Sequence, residues 1–246
     1  MRARLLSGAL RQYANIATLP SMCGRYTLTH QDIEDLAREF GVPVEQLEGY
    51  QPRYNIAPTQ SQWIVRQELE DREALRARWG LLPHWAKDAK KGYKTINARC
   101  ETVHEQPAFR DAFKKRRCIV PADGFYEWEG PKGKRTPLRF HRPDNSLIFF
   151  AGLYESWQPE PDVWEPTYTI ITTEANAFIS NVHDRMPVIL PEESVDDWLY
   201  PKETDADKLR SLLVPAPDDL LIRTAVSPSV NNVKNDDASV LTTPLD

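Results

Sequence analysis

No stretch of this chain approaches the ~20 apolar residues that a bilayer-crossing helix needs, so a membrane protein built on such helices is not expected. Cysteine is scarce: there are three in 246 residues, with no C-x-x-C pair. An odd, unpaired set argues against a disulfide framework or a structural zinc site, and for a reducing compartment. Glycine is outnumbered by proline, ten against twenty. Such a chain is punctuated by rigid turns, and strands joined by irregular loops are expected. An excess of positive charge is absent too, since the formal net charge is −5. That disfavours whole-molecule attraction to nucleic acid, but not a local basic groove, because phosphates sense charge within a Debye length of ~8–10 Å. Internal repeats, low-complexity linkers and a clear domain boundary are also missing.

The first 21 residues, "MRARLLSGALRQYANIATLPS", hold Arg2, Arg4 and Arg11 and no acid. They read either as an Arg-rich transit peptide or as an extension upstream of a true start at Met22. The abrupt onset of ordered pattern at Met22 favours the second. Residues 1–21 are therefore expected to lie outside the fold, 22–236 to form one domain, and 237–246 to fray.

What is present suffices for a sizeable core: 41% hydrophobic residues, with seven Trp, eight Phe and nine Tyr. "THQDIEDLAREFGV" reads as a helix with an apolar stripe at Ile33, Leu36, Ala37 and Phe40, Thr29 able to cap it, Asp32 favouring its first turn, and Gly41 as its stop. "PAFRDAFKKRR", "EANAFISNVHD", "EESVDDWLY" and "DADKLRSLL" read as further helices. "CIVPADGFYEWEG", "TPLRFHRPDNSLIFFAGLYESW", "TYTIITT" and "MPVIL" read as strands, with "RPDNS" as a hairpin turn. The expected fold is a single α+β domain with a strand-rich, mostly antiparallel core.

Cys23 stands directly after Met22. An ordinary cysteine is a small buried hydrophobe. Initiator methionine, however, is removed before a small residue, and the product would carry an α-amine of pKa ~7.7–8 beside a thiol of pKa ~8.5. A 1,2-aminothiol condenses with an aldehyde to an imine, and its thiol then closes a thiazolidine ring. Aldehyde capture is the chemistry this position suggests, provided nothing precedes Cys23. "INARCET" sets Asn97 and Arg99 two apart, on one face of a strand. Glu127, among the aromatics of "GFYEW", is either a surface carboxylate or an acid able to pass protons. His183 in "NVHDRMPVIL" is either a helix C-terminal cap or a general acid–base. Arg185 is suited to a phosphate.

In order along the chain, "MCGRYTL", "RYNIAPTQ", "WGLLPHWAKD", "NARCETV", "AFRDAF", "RRCIVPADGFYEW", "FAGLYESW", "TIITTEAN" and "HDRMPVIL" resemble the SRAP family, the SOS-response-associated peptidases regarded as abasic-site processing proteins. The resemblance runs from Met22 to about Asn235. It implies a compact α+β fold with a barrel-like core, and covalent capture of abasic sites in single-stranded DNA by a mature N-terminal cysteine, protecting the site during the DNA damage response. Self-processing peptidase activity would expose that cysteine. By the same resemblance, Cys23 is the crosslinking residue, Asn97 positions the amine and the opened sugar, Glu127 shuttles protons, and His183 is the acid–base partner. Arg25, Arg99 and Arg185 would contact phosphates, and Trp79, Pro83 and Trp85 would wedge against bases. No cofactor or metal is implied. A monomer in the cytoplasm, associated with the nucleoid if bacterial, is expected.

Three rival readings remain. Cys23 with its own amine as base would make an N-terminal-nucleophile amidase. A passive single-strand reader would bury Cys23. A metal site of Cys100, Cys118 and His104 has poor spacing.

Overall fold

The computed structural model describes residues 24–243, so Cys23 and the 21-residue leader lie outside the described residues. The strands are β1 (Tyr26–Leu28), β2 (Arg53–Ile56), β3 (Ser61–Glu68), β4 (Asp71–Trp79), β5 (Asn97–Arg99), β6 (Arg117–Ala122), β7 (Gly124–Glu129), β8 (Thr136–His141), β9 (Ile148–Glu160), β10 (Val163–Glu174), β11 (Arg185–Pro187), β12 (Ile189–Leu190) and β13 (Ile222–Ala225). Four short helices flank them: α1 (Ile33–Phe40), α2 (Arg110–Lys115), α3 (Glu192–Leu199) and α4 (Ala206–Ser211).

Five strands close on themselves. β4 pairs antiparallel with β3, β3 with β6, β6 with β9, and β9 with β10. β10 then lies parallel to β4, with Tyr168 opposite Trp79. Closure removes the exposed edges that an open sheet of this size would present. A second, five-stranded sheet runs β13-β8-β7-β1-β2. The architecture is therefore the expected single α+β domain with a barrel-like, mostly antiparallel core and few helices.

Aromatics join the two sheets. Tyr26 of β1 meets Trp79 edge-on at 5.2 Å between centroids and Phe150 at 6.0 Å. Its hydroxyl and that of Tyr168 lie 2.7 Å apart, each satisfying the other in the core. The β4 end needs glycine. Gly80 has φ +121°, and a Cβ there would sit 2.6 Å from the carbonyl oxygen of Gly92. This backbone approach brings the loop that leaves β4 back to β5.

Several local expectations are met. α1 ends at Gly41 with φ 69°, and its N–H caps the carbonyls of Ala37 and Arg38. "RPDNS" is the turn between β8 and β9, with Asn145 at φ 56°. Others are corrected. The α1 cap is Asp32, which accepts from the N–H groups of Glu34 and Asp35, while the hydroxyl of Thr29 donates to Asp123. "EANAFISNVHD" is a series of turns, not a helix. Asn176 caps the first turn, its Oδ1 accepting from Ile179 N–H, and its amide donates to Ala216 and Pro217, while Asp218 takes the N–H of Ala177. Isolated bonds follow, Ser180 N–H to Asn176 and His183 N–H to Ile179, without a continuous ladder between them. "MPVIL" is split by Val188, which donates to Ile171 and accepts from Ala151. Within 237–246, expected to fray, residues 238–241 form a 3₁₀ turn and bury Val240.

Candidate functional site

Two clusters hold the candidate residues. The first is built on β1, β2 and β7. Gly24 and Arg25 run beside β7, where the N–H of Tyr126 donates to the Arg25 carbonyl at 3.0 Å. Glu127, the next residue of β7, is buried at 5% exposure between Tyr126 and Trp128. Arg25 donates from Nη1 to Asn55 Oδ1 and to the Val230 carbonyl, both at 2.8 Å, and its guanidinium lies 5.9 Å from the Trp128 ring centroid.

Asn55, which sequence reasoning left unassigned, is the hub of this cluster. It is fully buried, and its amide donates to the carbonyls of Val230, Asn232 and Asn235. Asp236 completes the clasp by accepting from the N–H groups of Tyr54 and Asn55 at 2.6 and 2.7 Å and pairing with Arg53. The Trp128 indole donates to Asn231 Oδ1. Residues 230–236 thus fold onto β2, the neighbour of β1. "RYNIAPTQ" is visible as a motif, but a partner some 180 positions away is not.

The second cluster sits on β5, the end of β10, and β11. Asn97 and Arg99 lie on one face of β5, with Ala98 buried on the other. β5 runs parallel to β10, Asn97 opposite Ile170 and Arg99 opposite Thr172, and Thr172 faces Pro187 of β11. His183 is in the loop just before β11. Its Nδ1 accepts from the N–H of Arg185 at 3.0 Å and also lies 3.0 Å from Asp184 Oδ1. The nitrogen can serve only one of these neighbours at a time. As the acceptor from Arg185, Nδ1 leaves the ring proton on Nε2.

Arg185 departs from expectation. It is 7% exposed and forms a two-pronged pair with Glu101, Nη1 to Oε1 at 2.5 Å and Nη2 to Oε2 at 2.9 Å, with Nη2 also donating to the Thr172 carbonyl. The Arg185 hydrogen bonds hold the Glu101 carboxyl below the usual range. Arg185 is therefore a neutralised cation here, not an open phosphate hook. Trp79 and Pro83 are corrected more firmly. Both are buried; Trp79 is 0% exposed, stacks on Tyr168 and donates its indole N–H to Ile96. Neither can wedge against a base. Trp85 is 50% exposed, with Lys91 Nζ 5.7 Å from its ring centroid, and Arg99 is exposed as well. Among the described residues, no three His, Cys, Asp or Glu side chains gather as metal ligands. Burial pushes the thiols of Cys118 and Cys100 up, which makes both poor nucleophiles.

This fold is already seen in solved proteins. A crystal structure from Bacteroides thetaiotaomicron superposes with a TM-score of 0.79 at 26% identity, covering 91% of this chain and all of that one. One from Bordetella bronchiseptica gives 0.71 at 31% identity, covering 83% of this chain and all of that one. The family described as SOS response associated peptidase (SRAP) matches residues 22–233, and the chain belongs to it. Abasic site processing protein YoaM of Bacillus subtilis is 45% identical over 222 residues, 89% of this chain and 97% of YoaM. Abasic site processing protein HMCES of Gallus gallus is 33% identical over 220 residues, 76% of this chain and 65% of HMCES.

Proposed function

We propose that this protein processes abasic sites in single-stranded DNA by covalent capture through a mature N-terminal Cys23. The observation that carries the reading is the placement of Gly24 and Arg25 against β7, beside buried Glu127. The names of the relatives at 43–45% identity supply the substrate class.

An abasic deoxyribose is mostly a closed hemiacetal, so opening it needs a proton donor and an acceptor. Glu127 and His183 fill these roles, and Asn97 orients the opened sugar. The α-amine of Cys23 adds to the C1′ aldehyde and one water leaves as the imine forms. The thiol then adds to the imine carbon, its proton passes to the nitrogen, and the thiazolidine closes. Holding the reactants together replaces a slow bimolecular step. Arg25 and Arg99 meet phosphates, and Trp85 meets bases. The imine also acidifies the C2′ protons, so slow β-elimination is a side reaction. The word peptidase in the family description fits a narrow activity, self-removal of whatever precedes Cys23, which hydrolyses one amide with one water. We assign no cofactor, and a monomer acting on its own. Among the described residues, no helix is long and apolar enough to cross a membrane.

The test compares wild type with Cys23→Ser on an abasic single-stranded oligonucleotide. Wild type gives a heat-resistant conjugate. The serine variant keeps the amine, so it gives only a conjugate that borohydride must trap. Heat-resistant conjugates at undiminished yield from the serine variant would sink the proposal.

A further inference from the structure

Two of the short basic runs in this acidic chain are "HWAKDAKKGYK" at 84–94 and "KKRR" at 114–117. A cleft of about 440 Å³ brings His84 of the first run together with Lys114, Lys115 and Arg116 of the second, with Trp164, Asp111 and Glu155 also in its lining. Its floor is electrically settled. Arg116 Nε and Nη2 pair with Glu155 at 2.8 and 2.9 Å, and the other acid at the rim, Asp111, lies 3.8 Å from Arg110. Lys114 and Lys115 are exposed, and among the described residues neither has a carboxylate within ion-pair distance. Their charge is available to a ligand. Glu160 and Asp162 follow at the hairpin turn, so the positive surface ends beyond Trp164.

One exposed indole lines the cleft, and a second follows His84 in the chain. Trp164 is 60% exposed at the tip of the β9–β10 hairpin, and Trp85, next to His84, is 50% exposed. The loop bearing Trp85 is anchored, because Trp157 Nε1 donates to the Ala86 carbonyl at 2.7 Å. Unpaired lysines beside outward aromatic faces match a nucleic-acid strand: ammonium groups take phosphates, and ring faces take bases without sequence preference. An acidic peptide would use the lysines and leave both indoles idle.

The register of β10 gives the distance to the lesion site. Asn97 lies opposite Ile170, and Trp164 is six residues earlier on the same strand. At ~3.3 Å per residue that is about 20 Å, or about six nucleotides of a stacked strand at ~3.4 Å each and fewer of a stretched one. We propose that this cleft is a second binding site for the strand that carries the lesion, holding single-stranded DNA on one side of the abasic position. The proposal rests on the reading of the protein as an abasic-site binder.

The test uses full-length protein and abasic oligonucleotides with arms of about two nucleotides, or with one arm extended to about ten on the 5′ or the 3′ side. Wild type is expected to bind more tightly when the arm is lengthened on one side only. A triple variant, Lys114→Ser, Lys115→Ser, Trp164→Ala, changes only exposed side chains, and an unchanged melting temperature confirms that it folds. It should lose affinity for the long-armed oligonucleotide by roughly fivefold or more, with a salt slope shallower by about 1.4 for two lost phosphate contacts. Binding and conjugation on the short oligonucleotide should stay as in wild type. Equal affinities of wild type and variant on the long arm overturn the proposal, and so does an equal loss on both lengths. If wild type forms no conjugate with either oligonucleotide while the arm-dependent loss persists, the capture reading fails and this site stands.

Discussion

Arg25 and Arg185 were expected to do the same work, yet the two clusters treat them in opposite ways. Arg25 is held by neutral acceptors, the amide oxygen of Asn55 and the carbonyl of Val230. They fix its direction, and among the described residues no carboxylate pairs with it. Arg185 is held by a carboxylate, Glu101, through both terminal nitrogens. Its direction is fixed too, but its charge is spent within the protein. The cluster on β1, β2 and β7 thus holds a preset cation, and the one at β11 is a closed ion pair that an anion must open. A phosphate meeting Arg25 displaces little, whereas a phosphate meeting Arg185 competes with Glu101 for the same N–H groups.

Breaking the first cluster should have the largest effect. Asn55→Ala removes the hub and strands three carbonyls and Arg25, so a stability loss of about 2–4 kcal/mol is expected by denaturant unfolding. The rate of conjugate formation should fall with it, and a folded variant that conjugates at the wild-type rate would remove Asn55 from the account. Asp236→Ala frees the N–H groups of Tyr54 and Asn55 and unpairs Arg53, for which about 1–3 kcal/mol is expected. Opening the second cluster should act on binding more than on stability. Glu101→Gln releases the charge of Arg185, so DNA affinity should rise and the salt slope steepen by about 0.7. An unchanged slope would mean that Arg185 meets no phosphate.

The smallest effect is in pH. Arg185 depresses the Glu101 pKa. The folded state therefore binds this proton less readily than the unfolded chain, and the pair stabilises above the ordinary glutamate value of ~4.3. That contribution disappears as pH falls through the lowered folded value. Acid unfolding of Glu101→Gln should lack this component, and identical acid profiles for wild type and variant would discount the pair.

The sequence yielded what depends on neighbours in the chain. The Gly41 cap, the turn at 142–146 and the shared face of Asn97 and Arg99 follow from local chemistry and strand period. It misled where a distant partner decides. "EANAFISNVHD" has helical spacing, but it folds as turns held to residues 216–218 by Asn176 and Asp218. Trp79 stands in the same short motif as exposed Trp85, yet closure of β4 against β10 buries it against Tyr168. Arg185 looked like a phosphate ligand because Glu101 lies 84 positions earlier. Asn55 went unassigned because its meaning comes from residues 230–236. Local pattern therefore carried the local structure, and long-range pairing decided which side chains are buried or paired.

The central claim is that a free amine and thiol at Cys23 capture the opened sugar, and intact-mass measurement tests it most directly. The protein is weighed before and after mixing with an abasic single-stranded oligonucleotide and brief heating. The account predicts a native mass that begins at Cys23 and a heat-resistant shift equal to the oligonucleotide minus one water. A native mass that begins at Met1, together with complete adduct formation, would contradict it.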